Sequence, residues 1–178
     1  MYLGAIGDSN EFVANQIGDA NSAHIANFNG SDNNVDIAQG GNENTVLVQS
    51  SYPDQSLSSN DNDIAINQEG NLNEAALTFA SVLDSNNNQV AFTQVGELNA
   101  IDLIMEGSNN SVDISQTGSE NFVVGIGESA FLLGGEGNSL VVMQDGNANI
   151  VEGSMIGSNS TVVITQVGDG NIATVTQE

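Results

Sequence analysis

Residues 110–118 read NSVDISQTG. Asn110 is followed two and four steps on by Val112 and Ile114, then by Gln116 at the sixth step and Gly118 at the eighth. Residues 10–18 (NEFVANQIG) and 88–96 (NQVAFTQVG) follow the same pattern. Alternation of apolar and polar residues is the period of a β-strand, not of a helix. A second Asn stands three steps past each glycine, and the alternation then resumes, as at Ile101 and Leu103 or Ala173 and Val175. Each copy therefore predicts two short strands joined by a tight G-x-x-N turn, where glycine tolerates positive φ and Asn enters the turn readily.

The unit occurs seven times. Its first positions are Asn10, Asn33, Asn62, Asn88, Asn110, Asn138 and Ser160. Six steps on stand Gln16, Gln39, Gln68, Gln94, Gln116, Gln144 and Gln166. Eight steps on stand the turn glycines Gly18, Gly41, Gly70, Gly96, Gly118, Gly146 and Gly168. Eleven steps on stand Asn21, Asn44, Asn73, Asn99, Asn121, Asn149 and Asn171. Repetition of this kind signals stacked units that cannot bury their apolar face alone. The predicted fold is all-β: a β-solenoid of seven strand-turn-strand rungs that stacks further into a cross-β amyloid fibre. Residues 10–178 form one solenoid domain, preceded by an N-terminal segment, 1–9.

Alternation also assigns the faces. Asn, the aliphatics, Gln and Gly share the even steps and point inward together. A buried amide without a partner costs a few kcal/mol. Strands in a stacked sheet lie about 4.8 Å apart, close enough for identical amides to hydrogen-bond as a ladder. The Asn and Gln positions are therefore expected to form amide columns through the interior. His24 falls on an odd step and is expected on the surface.

The returns between units vary in length, with long stretches at 51–61, 80–87 and 126–137, read as loops on one edge. The only proline, Pro53, lies in the first, where no ladder N–H is lost. Asp19, Glu43, Glu97, Glu120 and Asp169 lie inside the G-x-x-N turns, and stacking is expected to gather them into an acidic column. Such a column would draw a diffuse Ca²⁺ or Mg²⁺ atmosphere rather than hold defined ions. No other cofactor is expected.

The chain has no Lys, Arg or Cys, and a formal net charge of −23. That charge opposes nucleic-acid binding, which needs cations to displace phosphate counterions. Without Cys, Lys, Arg or a second His, no nucleophile with its base and orienting group can be assembled, so the chain is not read as an enzyme. No run of about 18 apolar residues is present, so no membrane-embedded segment is expected. The N-terminal MYLGAIGDSN lacks the basic flank and apolar stretch of a signal peptide.

The repeated phrase resembles the curlin repeat of the curli family, subunits of bacterial extracellular amyloid fibres, whose pattern is S-x5-Q-x-G-x-G-N-x-A-x3-Q. Residues 160–177 fit it throughout, from Ser160 through Gln166, Gly168, Gly170, Asn171 and Ala173 to Gln177, which joins the candidate amide ladder on this ground. The last Gln of the pattern is replaced in the other units, at Asn27, Ser50, Phe79, Met105, Gly127 and Met155. The resemblance implies a left-handed solenoid that polymerises with itself head-to-tail. It also implies a nucleator subunit and an outer-membrane secretion channel as partners, a cell-surface fibre as the location, and a role in biofilm matrix and adhesion. Two alternatives stand beside the fibre former: a nucleator-type minor subunit, and a soluble monomeric β-solenoid acting as a binding or adhesin module. Terminal capping segments would mark the soluble module, and the sequence shows neither a helical nor a charged cap at either end.

Overall fold

A computed structural model describes residues 2–50, 56–127 and 129–178; Pro53 and the first part of the 51–61 stretch lie outside the described residues. Among the described residues every element is a strand, and every strand pairing is parallel. The chain winds as a β-solenoid of about six turns. One sheet has seven strands stacked in chain order: β2 (Glu11–Ile17), β4 (Asn34–Asn42), β6 (Asp63–Asn71), β8 (Gln89–Glu97), β10 (Ser111–Ser119), β13 (Ser139–Asn147) and β15 (Thr161–Val167). The facing sheet has nine: β1 (Tyr2–Ile6), β3 (Ser22–Asn29), β5 (Thr45–Ser50), β7 (Glu74–Phe79), β9 (Ala100–Glu106), then β11 (Phe122–Val124) and β12 (Phe131–Gly134) end to end in one layer, β14 (Ile150–Ile156) and β16 (Ile172–Gln177).

Register follows the repeat. Gln116 pairs with Gln94 on one side and Gln144 on the other, and Gly118 with Gly96 and Gly146. A slip by one residue would turn every aliphatic outward, so the alternating pattern locks the pairing. The inward residues of both sheets, among them Val112, Ile114, Val123, Leu103 and Val151, form one continuous core. The turn geometry explains the glycines. Gly118 has φ 113°, and a Cβ there would stand 2.0 Å from the carbonyl oxygen of Gly146 in the next turn of the solenoid. The chain then passes through Glu120 at φ 57° into Asn121.

Three expectations need correction. The return between units is not an irregular loop. It closes on a second four-residue turn of the same kind, as in Gly107-Ser108-Asn109-Asn110, with Gly107 at φ 93° and Asn109 at φ 60°. Ser59 and Ser85 replace the glycine in two copies, which hides the likeness in the sequence.

The 126–137 stretch contains β12, whose Leu133 pairs with Met105 and Met155. Leu133, not Gly127, therefore stands at the last-Gln position of that unit. Between Val124 and Leu132 the chain advances eight residues while β14 advances two, from Glu152 to Ser154. The insertion is thus six residues, an even number, and alternation survives it.

The third correction concerns the 1–9 segment. It is not merely a lead-in, because β1 pairs with β3 and extends the nine-stranded sheet by one strand. The outer edge of β3 is therefore occupied, while β2 remains the last strand of its own sheet.

Candidate assembly interface

The seven glutamines form one unbroken file. Gln16 Nε2 donates to Gln39 Oε1 at 2.6 Å, Gln39 to Gln68 and Gln68 to Gln94 at 2.8 Å. Gln94 donates to Gln116, Gln116 to Gln144 and Gln144 to Gln166, each at 2.9 Å. Every donation runs toward the C-terminal neighbour. The second amide N–H crosses the core to a backbone carbonyl of the facing sheet: Gln39 to Ser22, Gln68 to Thr45, Gln94 to Glu74, Gln116 to Ala100, Gln144 to Phe122 and Gln166 to Ile150, at 2.9–3.2 Å. Each glutamine thus reaches back across the core to the preceding unit as well as joining the next unit along the file.

The two Asn files run the other way. Asn44 donates through Nδ2 to Asn21 Oδ1, Asn73 to Asn44, Asn99 to Asn73, Asn121 to Asn99, Asn149 to Asn121 and Asn171 to Asn149, at 2.9–3.1 Å. The backbone N–H of each of these residues reaches the same Oδ1. In the other file Asn33 donates through Nδ2 to Asn10, Asn62 to Asn33 and Asn88 to Asn62. From Asn110 on, the backbone N–H alone makes the link: Asn110 to Asn88, Asn138 to Asn110 and Ser160 to Asn138. There Asn110 and Asn138 turn Nδ2 to the carbonyls of Gly135 and Gly157.

Asn62, Gln68, Asn99, Gln116, Asn121 and Gln144 are fully or almost fully buried. Among the described residues no buried side-chain N or O lacks a hydrogen-bond partner. The desolvation cost of so many amides is therefore met inside the stack. Gln177 stands apart from these files. Its register partner is Met155, and its amide donates to Ser160 Oγ at 2.9 Å, because the last-Gln position below it is filled by apolar side chains.

The carboxylates do not form a continuous column. The first turn position runs Asp19, Asn42, Asn71, Glu97, Ser119, Asn147, Asp169, and the second carries Glu43 and Glu120. At either position like charges recur three turns apart, with neutral residues between. The Asn residues between them donate to the carboxylates: Asn71 Nδ2 to Glu97 Oε1 at 3.3 Å, and Asn147 Nδ2 to Asp169 Oδ1 at 3.0 Å. His24 is exposed.

The glutamine file ends where its sheet ends, at β2 and β15; the Asn21–Asn171 file ends at a sheet edge only on the β16 side, since β1 covers β3 at the other. At these edges the inward residues are less covered: Gln16 and Asn10 are half-buried and Asn171 is exposed, against complete burial of their equivalents mid-stack. Among the described residues no group of three or more His, Asp or Glu is placed to hold a metal ion, and no helix is long and apolar enough to cross a membrane.

The second turn and the strand inside 126–137 escaped the sequence reading. The sequence signal for the second turn is the run Ser9, Asp32, Asp61, Asn87, Asn109, Gly137 and Asn159, residue types common in turns, each standing just before a unit's first position. Residues 86–122 match the family model of the curlin associated repeat. No curated protein and no solved structure matches the chain.

Proposed function

We propose that this curlin-repeat protein is a structural subunit that assembles head-to-tail into an extracellular curli-like fibre, with each of its seven two-strand units acting as one rung. The family is structural rather than catalytic. The observation that carries the reading is that each amide file keeps one polarity through every unit, and that the glutamine file stops at β2 and β15, strand edges that no other described strand covers. A second copy stacked with its β2 on β15 must give up the pairing of its β1 with β3, so that β16 of the first copy takes the place of β1. That arrangement would let Gln166 donate to Gln16 Oε1, in the same sense as the six bonds within the chain. Asn171 Oδ1 would accept from Asn21 of the same neighbour. A head-to-tail contact of this kind does not close on itself and so builds a filament.

In this reading residues 10–178 are one solenoid, a nucleator subunit and an outer-membrane channel are the partners, and the fibre serves biofilm matrix and adhesion. Ca²⁺ and Mg²⁺ gather diffusely near the acidic turns. The test is to dissolve the chain to monomer, dilute it into saline buffer, and follow it by electron microscopy and fibre diffraction. Unbranched filaments with a reflection at about 4.7–4.8 Å along the axis are expected. A stable β-rich monomer would overturn the reading in favour of a soluble binding module.

A further inference from the structure

The two outer faces of the solenoid differ in chemistry. Outward positions of the seven-stranded sheet carry the carboxylates Glu11, Asp36, Asp63, Glu69, Asp113 and Asp145. The seven-stranded sheet also exposes Val13, Met143, Val163 and Val167, but in the C-terminal half of the nine-stranded sheet apolar side chains line two clefts. Phe122, Val124 and Ile150 line one open cleft of about 400 Å³. Ile104, Leu132 and Ile156 line a second of about 400 Å³, with Val82 and Leu83 along its rim. Val82 and Leu83 are 73% and 57% exposed, and with Ile104, Leu132 and Ile156 they make a contiguous apolar patch.

They are held there. Glu106, only 5% exposed, accepts hydrogen bonds from the backbone N–H groups of Ser81 at 2.9 Å, Val82 at 3.0 Å and Leu83 at 2.7 Å, and from the Ser81 hydroxyl. A buried carboxylate thus fixes a short insertion whose two apolar side chains point to solvent.

We propose that this face is a lateral seam between two fibres of this chain; the inference rests on the fibre reading above. Area and spacing identify the occupant. Four strands about 4.8 Å apart, each contributing about six residues of roughly 3.3 Å, give a patch of about 400 Å². A stable pair of proteins buries about 800 Å² on each partner. Two single copies therefore do not hold together through this face. In a fibre the patch recurs every seven strand spacings, roughly 34 Å, and each added copy contributes another contact at high effective concentration. Only a partner with the same repeat can use every patch, and a second fibre of this chain has it. The charge on the seam is sparse, Asp102 and Glu106 on β9 and Glu152 on β14, and salt screens what repulsion remains.

The double variant Val82→Ser/Leu83→Ser tests this, because both side chains are exposed and outside the core. Ile150→Thr, which keeps β-propensity, tests the other cleft. Filaments are imaged for pairing while elongation is followed separately. Wild type is expected to form paired filaments. Both variants are expected to elongate at the wild-type rate while the paired fraction falls about tenfold or more. Single wild-type filaments, or variants that pair as wild type does, would overturn the seam and leave the fibre reading standing. No filaments from wild type would overturn the fibre reading and the seam with it.

Discussion

Gln116 has no slack. It accepts from Gln94, donates to Gln144, and donates again to the carbonyls of Ala100 and Asn121, all while fully buried. Gln116→Glu keeps the shape but removes both N–H groups. The new carboxylate oxygens would face Gln144 Oε1 and the Ala100 carbonyl, with no cation anywhere in the chain to compensate. An ionised group left unpaired in the interior costs roughly 3–5 kcal/mol. The variant is expected to unfold at markedly lower denaturant than wild type above pH 6, and to recover part of that loss in acid, where the carboxyl protonates and donates again. Equal unfolding midpoints for the two chains would show that the glutamine file contributes nothing to stability. The same variant is expected to slow elongation, since every junction depends on folded units.

Strands were the most legible element, because alternation and the invariant Gln and Gly positions specify face and register together. Legibility failed where a rule lost its usual residue. Ser59 and Ser85 stand where glycine marks the second turn elsewhere, so the return looked like a loop. In 126–137 the alternation of Phe131 and Leu133 was too short to be read as a strand apart from its neighbours β9 and β14. The six-residue insertion there gives a direct test. Deleting residues 125–130 joins Val124 to Phe131 in the register that β9 and β14 already impose. The shortened chain is expected to fold with unchanged or higher stability, since an irregular excursion is removed and no ladder bond between β12 and its neighbours is lost. Loss of cooperative unfolding would mean that the insertion is part of the fold. Strand β9 offers a second test. Burial, and then the negative charge of Glu74, raise the Asp102 carboxyl above its ordinary value of 3.8. A raised carboxyl pKa means that the folded state holds the proton more tightly than the unfolded chain. The stabilisation from protonating Asp102 is therefore complete below that ordinary value and is lost as pH rises through the folded value. Asp102→Asn is expected to be more stable than wild type at neutral pH and to lose this part of the pH dependence, as measured by denaturant melts from pH 3 to 7. A wild-type pH profile in the variant would assign that dependence to other groups.

At the scale of the whole molecule, a net charge of −23 with no Lys or Arg opposes association of any two copies. Within one copy, carboxylates at the same turn position are kept three units apart, and Asp19 with Glu43 and Glu97 with Glu120 meet only at neighbouring positions of adjacent units. Three strand spacings separate like charges at one turn position, about 14 Å, beyond the screening length of about 10 Å in 0.1 M salt. In the proposed fibre the head-to-tail junction would break that spacing. Asp169 of one copy and Asp19 of the next occupy the same turn position in what would be adjacent rungs, about 4.8 Å apart. Two such charges repel by roughly 0.8 kcal/mol in water, at the point where elongation occurs. Asp19→Asn would place an amide after Asp169, the arrangement already present inside the chain where Asn42 follows Asp19 and accepts from its backbone N–H through Oδ1. The variant is expected to elongate about threefold faster than wild type at 10 mM salt, and the advantage should vanish by 1 M, where the screening length falls to about 3 Å. Glu43→Gln, which changes the charge equally but has no carboxylate at the same turn position across the junction, should gain much less. Equal acceleration by both would place the barrier in total charge rather than in the meeting of Asp19 with Asp169. An unchanged rate for Asp19→Asn at low salt would mean that the growing end does not stack β2 on β15.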